Sequence, residues 1–332
     1  MASRIGIGLI GAGKHGQRYL THVTRDVPAF VLRALSRADV ARGTAQAKEL
    51  GVRFHADWRE LVTDPSVDAV IAVVPPTLHR AIAEAVAGAK KAFLIEKPLA
   101  TTGADAIAIL HTVRAAGVPC LMGHTLRWNT VVRAVREQLP SMGPLRALGL
   151  NQRFEPSKLD WLDRPETSGG GIILHTGVHS FDLVRFLTGR EVGRVWCRTS
   201  RVATRRTEDN FVATLDLEGD DTLVTVSGCR ATAGRSGLID VAAAEGQLVA
   251  DHQLHFAYRV RGLDRTTIEL SSPAHTVHDA LDAFARLLVA GETPPTSLVD
   301  GVRAVQIAEA CMKSAAAGVP VEVAPLPDDR PT

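Results

Sequence analysis

Six residues near the amino terminus constrain the fold of this chain more than any others. Gly11-Ala12-Gly13-Lys14-His15-Gly16 follows directly on an apolar run, Arg4 to Ile10, that reads as a strand. It opens an amphipathic stretch, Lys14 to Arg25, that reads as a helix. The spacing has a physical reason: the first glycine permits a tight turn, the second lets backbone approach a pyrophosphate, and the third allows close helix-to-strand packing. Backbone N–H groups at the helix start then face the anion. A second strand, Phe30 to Leu35, arrives on schedule, so the motif predicts the first βαβ unit of a dinucleotide-binding sheet.

The same rhythm continues to about Gly123. Short apolar runs at Val67 to Val74, Ala92 to Ile95 and Val118 to Met122 alternate with helical patterns at Asp39 to Leu50, Thr77 to Ala87 and Thr102 to Ala116. Gly51 stands where a helix C-cap is expected. At least five strands with intervening helices predict a doubly wound parallel sheet. Beyond a helix at Asn129 to Leu139, runs rich in Val, Thr and Leu (Arg194 to Val202, Asn210 to Leu217, Thr222 to Cys229) follow one another without helices between them, which predicts antiparallel strands. Helices are expected at Gly171 to Leu187, Val277 to Ala290 and Leu298 to Ala316. The predicted architecture is therefore α/β, a Rossmann domain over residues 1–123 followed by an α+β domain over residues 124–332 on an open, mainly antiparallel sheet. A Pro- and Asp-rich tail, Pro325 to Thr332, is expected to fray.

Composition removes other classes. The 332 residues are 45% hydrophobic and 22% charged, with 38 basic against 36 acidic side chains, far from the basic balance of a nucleic-acid binder. Cys120, Cys197, Cys229 and Cys311 form no CxxC pair, which argues against a zinc cluster or disulfide framework and for a reducing setting. There is no signal-peptide pattern and no apolar run long enough to span a membrane. A cytoplasmic protein without membrane or nucleic-acid partners is expected.

The cofactor's adenosine end has its own signal. About 20 residues past the glycines, where NAD-binding sheets carry an acid for the ribose 2′-hydroxyl, this chain has Ser36-Arg37. A guanidinium beside a hydroxyl suits a 2′-phosphate through charge-assisted bonds. NADP is expected ahead of NAD.

Further motifs follow in order: Val73-Val74-Pro75-Pro76-Thr77-Leu78-His79, then Ile95-Glu96-Lys97-Pro98-Leu99, then Gly169-Gly170-Gly171 opening the helix with Gly177-Val178-His179-Ser180-Phe181-Asp182. Together with the glycine turn, they resemble the Gfo/Idh/MocA family of oxidoreductases over residues 5 to about 320. The resemblance implies substrates such as sugars, polyols and inositols. It implies that Lys97 lies near the nicotinamide and binds a substrate hydroxyl, and that His179 acts as general acid/base. It further implies that Val74, Pro75 and Pro76 lie beneath the nicotinamide, and that the open sheet serves as an oligomer interface, in a homodimer or homotetramer. Glu96 and His79 join the expected cofactor set.

The residues agree with that reading on their own terms. Lys97 ends a strand, where ligands sit in open α/β sheets, and its ammonium can stabilise negative charge on a substrate oxygen. His175, His179 and Asp182 recur at i, i+4 and i+7, one polar stripe on an otherwise apolar helix, and such a stripe needs partners. Histidine suits proton transfer near neutrality. The family often has aspartate where this chain has His175; an imidazole supplies no negative charge, so His179 is expected to be less basic, with His175 a further catalytic candidate. Two histidines at this spacing can bind a metal, but no third ligand stands out. Arg127, Trp128, Arg153, Lys158 and Trp161 are expected around the substrate, the arginines and the lysine suiting an anionic group. The expected function is hydride transfer between NAD(P) and a small polar substrate at a CH–OH or C=O group. Two alternatives remain open: a non-catalytic dinucleotide sensor or corepressor, and an enzyme that retains its cofactor and oxidises its substrate transiently.

Overall fold

The computed structural model describes residues 4–326, so most of the Pro- and Asp-rich tail lies outside the described residues. The chain forms two compact units. The first takes the chain up to Ala100, then Ala104–Thr125 and His275–Val302; the second takes Thr101–Gly103, Leu126–Ala274 and the chain from Arg303 on.

In the first unit, β1 (Ile5–Ile10), β2 (Phe30–Ser36), β3 (Arg53–His55), β4 (Ala69–Ala72), β5 (Ala92–Glu96) and β6 (Cys120–Gly123) make one sheet in the order β3-β2-β1-β4-β5-β6. Every pairing is parallel. Parallel sheets are covered on both faces, so their strands are apolar throughout, and β4 (Ala-Val-Ile-Ala) is wholly buried. The helices are α1 (Gly16–Arg25), α2 (Val40–Leu50), α3 (Trp58–Thr63), α4 (His79–Gly88) and α5 (Gly103–Ala116). Asp39 caps α2 by accepting from Arg42 N–H, and Gly51 closes that helix at φ 65°, as its sequence position predicts. The sequence reading passed over β3 and α3. A three-residue strand and a six-residue helix are too short for their periodicity to stand out.

The second unit is built on nine strands: β7 (Leu145–Arg153), β8 (Val192–Ser200), β9 (Asn210–Leu217), β10 (Asp220–Cys229), β11 (Ser236–Ala243), β12 (Gly246–Asp251), β13 (Phe256–Arg261), β14 (Asp264–Thr267) and β15 (Val321–Glu322). Their order is β14-β13-β12-β11-β7-β10-β9-β8-β15. The β7–β10 pairing is parallel and the others are antiparallel. One face is buried and the other open, so burial alternates: in β9, Phe211, Ala213, Leu215 and Leu217 point inward while Val212, Thr214 and Asp216 point out. The inner residues form one apolar core with α6 (Thr130–Gln138), α8 (Val178–Thr188) and the later turns of α10 (Leu298–Ala317); α7 is a single turn, Pro165–Ser168.

The division differs from a single boundary at residue 123 chiefly in one later segment, 275–302. The helix α9 (Thr276–Ala290) does not belong with the second sheet but returns to the first unit, where Phe284 meets Phe30 at 6.0 Å between ring centroids. Its apolar face carries no label saying which sheet it covers. Among the described residues no helix is long and apolar enough to cross a membrane.

Candidate active site

The glycine turn lies between β1 and α1 with the geometry its spacing predicts. Gly11 has φ 95°, a conformation that penalises side chains, and a Cβ there would lie 2.1 Å from Val73 O. Gly16 packs so closely that its Cβ would meet Gly11 O at 2.1 Å. Around Gly13, by contrast, a Cβ would find nothing within 4 Å. The outer glycines are thus consumed by packing, while the middle one borders open space. No side chain caps the start of α1 and no acid stands in its first turn, so its N–H donors face no internal anion. Lys14 and His15 are exposed beside the turn, and Ala12 is buried beneath it. Ser36 O accepts from Gly11 N at 2.9 Å and Ala12 N at 3.3 Å, locking the turn to the end of β2. These residues fit a bound pyrophosphate.

Arg37, next along, donates from Nη1 to Gln46 Oε1 at 3.3 Å, and Gln46 Nε2 donates to Gln17 Oε1 at 2.7 Å. Asp39, the first acid after β2, is spent as the cap of α2 and pairs with Arg42 at 3.4 Å.

At the end of β5, the Glu96 carboxylate is buried and takes three donors: His15 Nε2 at 2.8 Å, Tyr19 Oη–H at 2.5 Å and its neighbour's backbone, Lys97 N, at 2.9 Å. Burial alone would raise its pKa, but the charge and hydrogen bond of His15, the charge of Lys97 and the Tyr19 hydroxyl outweigh it and hold the carboxyl well below the usual range. Tyr19 moves the opposite way, up, from burial and from the adjacent Glu96 charge. Glu96 is therefore an internal tie between the glycine turn and the Lys97 backbone, not a group presented to a cofactor. The same correction applies to His79. It is fully buried, its Nδ1 bonds Pro98 O at 3.0 Å and Leu99 O at 3.1 Å, and its Nε2 is enclosed without a partner. Burial lowers its pKa, so it stays neutral and braces the segment after Lys97. Val74 and Pro75 are half-buried beside the glycine turn, and Pro76 opens the 3-10 turn Pro76–Leu78 ahead of α4.

In the second unit the histidine helix is not α-helical throughout. Ile173–Gly177 winds as a π turn, and the regular α period begins at Val178. The expected single face for His175, His179 and Asp182 thus breaks between the two histidines, as π turns add a residue to the turn. Its start is capped from a distance: Glu208 accepts from Gly171 N at 3.0 Å and Ile173 N at 3.1 Å. A Cβ on Gly171 would lie 2.0 Å from Glu208 O, which is why a glycine stands there.

His175 is buried, its Nε2 bonds Ser168 O at 2.9 Å, and Trp161 meets it edge-on at 5.4 Å. That bond ties the imidazole to the loop ahead of the helix. His179, at the start of the α-helical part, is half-buried.

The other expected substrate residues fare differently. Arg127 is buried and forks onto Asp182, Nε to Oδ2 at 2.9 Å and Nη2 to Oδ1 at 2.5 Å, so its charge is already matched. Trp128 is 2% exposed, a core residue. Arg153 ends β7 on the outer sheet face, bonded to Ser227 Oγ at 2.9 Å, opposite to the face that α8 covers; strand alternation turned it away. Lys158 is exposed in the loop before α7.

Comparison with known proteins fits this geometry. The family model described as "Oxidoreductase family, NAD-binding Rossmann fold" matches residues 5–124, and the "GFO/IDH/MocA C-terminal domain" matches residues 145–249. Inositol 2-dehydrogenase 1 of Saccharopolyspora erythraea is 30% identical over 96% of this chain and 96% of its own. The chain belongs to the Gfo/Idh/MocA family. D-apiose dehydrogenase of Paraburkholderia graminis is 29% identical over 97% of this chain and 91% of its own. The solved aldose-aldose oxidoreductase of Caulobacter crescentus shares the fold at a TM-score of 0.87 and 21% identity, over 96% of this chain and all of that one. This Gfo/Idh/MocA protein is therefore an NAD(P)-dependent oxidoreductase. Sequence reasoning missed Tyr19 and Glu208 among the residues that shape it. Tyr19 had a signal, as the one hydroxyl on the buried stripe of α1; Glu208 comes from a turn whose facing direction depends on the sheet.

Proposed function

We propose that this protein is an NADP-preferring dehydrogenase or reductase of a sugar, polyol or inositol-like substrate. The observation that carries the reading is the open space around Gly13, bordered by two glycines that packing consumes, in a chain that keeps both Lys97 and His179. Gly11, Gly13, Gly16 and the start of α1 hold the pyrophosphate, and Arg37 with Ser36 meets the adenosine phosphate. The bound nicotinamide accepts or supplies the hydride. Lys97 Nζ donates to the reacting oxygen and stabilises the negative charge that develops there, and His179 takes the hydroxyl proton during oxidation. The named activities of the inositol and apiose dehydrogenases support the substrate class. The open outer face of the nine-stranded sheet, with Trp196, Val212 and Leu223 exposed, is proposed to meet a second copy in a homo-oligomer.

The test is turnover by the purified protein on a panel of polyols, inositols and aldoses with NADP+ and with NAD+. Net cofactor reduction is expected, lost by about 100-fold or more in Lys97→Ala and in His179→Ala. Binding without net turnover on the whole panel would favour the sensor or retained-cofactor readings.

A further inference from the structure

The inner face of the second sheet holds one cation that sequence reasoning overlooked. Along β10, Val224, Val226 and Gly228 are buried on the face that α8 covers, and Arg230 follows one period later on the same side. Its backbone is fixed by Arg230 N donating to Asp209 O at 2.8 Å. Its side chain reaches the histidine helix, where Nη2 donates to Thr176 Oγ1 at 2.7 Å, Thr176 standing between His175 and His179. Phe154 flanks the guanidinium at 5.6 Å.

Several other arginines of the second unit are matched. Arg127 has Asp182, Arg185 and Arg303 share Glu191, and Arg235, on the same Phe154 ring, has Glu155 at 2.7 Å. Arg230 makes no ion pair among the described residues, and its Nε is buried without an acceptor. Burial, and then the charge of Arg235, pull its pKa below the ordinary arginine value. A half-buried charge whose partner is one neutral hydroxyl is costly to keep, and such a group calls for an explanation, of which a bound anion is one.

We infer that Arg230 anchors a carboxylate of the substrate, so that the sugar this enzyme acts on is an acid: an aldonate, a uronate or a related hydroxy acid. A planar carboxylate fits a guanidinium edge, and its single charge matches that of Arg230; a phosphate dianion calls for a second cation, and Arg235, on the same Phe154 ring, is already taken. The inference rests on the reading of the His179 helix as the substrate-binding element.

Isothermal titration of the full-length, cofactor-loaded protein with D-glucuronate, D-galacturonate and D-gluconate against D-glucose, D-galactose and sorbitol tests it directly. At least one acid is expected to bind about tenfold or more tighter than its neutral counterpart. That advantage should vanish in Arg230→Met and return in part in Arg230→Lys. Arg230→Met should also hold or raise the thermal midpoint, because it removes an unmatched buried charge; a midpoint lower by several degrees would make Arg230 a structural residue and overturn the assignment. Equal binding of acids and neutral sugars, or no binding by any acid, overturns it as well. Calorimetry reads this without turnover: acids that bind through Arg230 but never react would sink the dehydrogenase reading and leave the anchor standing. Neutral sugars that react well, with Arg230→Met affecting acids and neutrals alike, would do the reverse.

Discussion

Glu96 is a single residue that ties several local elements together. One carboxylate receives donors from the glycine turn, from α1 and from the Lys97 backbone, so Lys97 and the glycine turn share an anchor. Glu96→Gln keeps the volume and removes the charge. Hydrogen bonds to a charged group contribute about 1.5–3 kcal/mol, and a loss of that order is expected in chemical denaturation at pH 7. The pH dependence follows from the depressed carboxyl: its stabilisation is present above the ordinary glutamate value of about 4.3 and is lost as pH falls below it toward the folded-state value. The variant should therefore lose less stability than the parent between pH 7 and pH 3, and parallel slopes would contradict the anchor. At the same scale, among the described residues Arg37 has an amide partner and no carboxylate. Fluorescence titration should give tighter NADPH than NADH binding, with Arg37→Ala removing the preference; equal affinities in the parent would overturn the NADP preference, and tighter NADH binding would assign NAD.

The β1–α1 element separates packing from binding. Gly16→Ala places a methyl 2.1 Å from Gly11 O and should cost about 1–3 kcal/mol, as overpacking does. Gly13→Ala meets no protein atom within 4 Å. Its melting temperature should match the parent's while dinucleotide affinity falls by about 100-fold, an expectation taken from the close approach that the middle glycine allows. A Gly13→Ala protein that binds normally would mean the open space is not the pyrophosphate site. The histidine helix makes the complementary point. Its glycines were legible as motif, yet the Glu208 cap was not, because it depends on a residue some 35 positions further along.

At the scale of the whole molecule, the nine-stranded sheet leaves Leu223 74%, Val212 50% and Trp196 42% exposed on its outer face. Large apolar groups grouped on an open sheet favour association. The parent should run as an oligomer in light scattering, and Leu223→Lys should shift it toward the monomer without altering its far-UV spectrum. A monomeric parent would remove the proposed interface.

What the chain determines by itself is its local periodicity and turn chemistry. Alternating apolar runs made the parallel sheet legible, Asp39 and Gly51 marked the ends of α2, and Gly11, Gly13 and Gly16 marked the dinucleotide turn, since each signal acts within a few residues. The motifs that carry Lys97 and His179 were legible because they are local too. Tertiary structure alone decided which charges were already matched and which way side chains faced. Arg127 found Asp182 55 residues away, Arg153 turned to the outer face and Arg230 to the inner one, and α9 returned to the first unit. An isolated arginine in a sequence carries no mark of its burial or its partner; both follow from strand register and from which helix covers the sheet, long-range contacts that form only when the fold does.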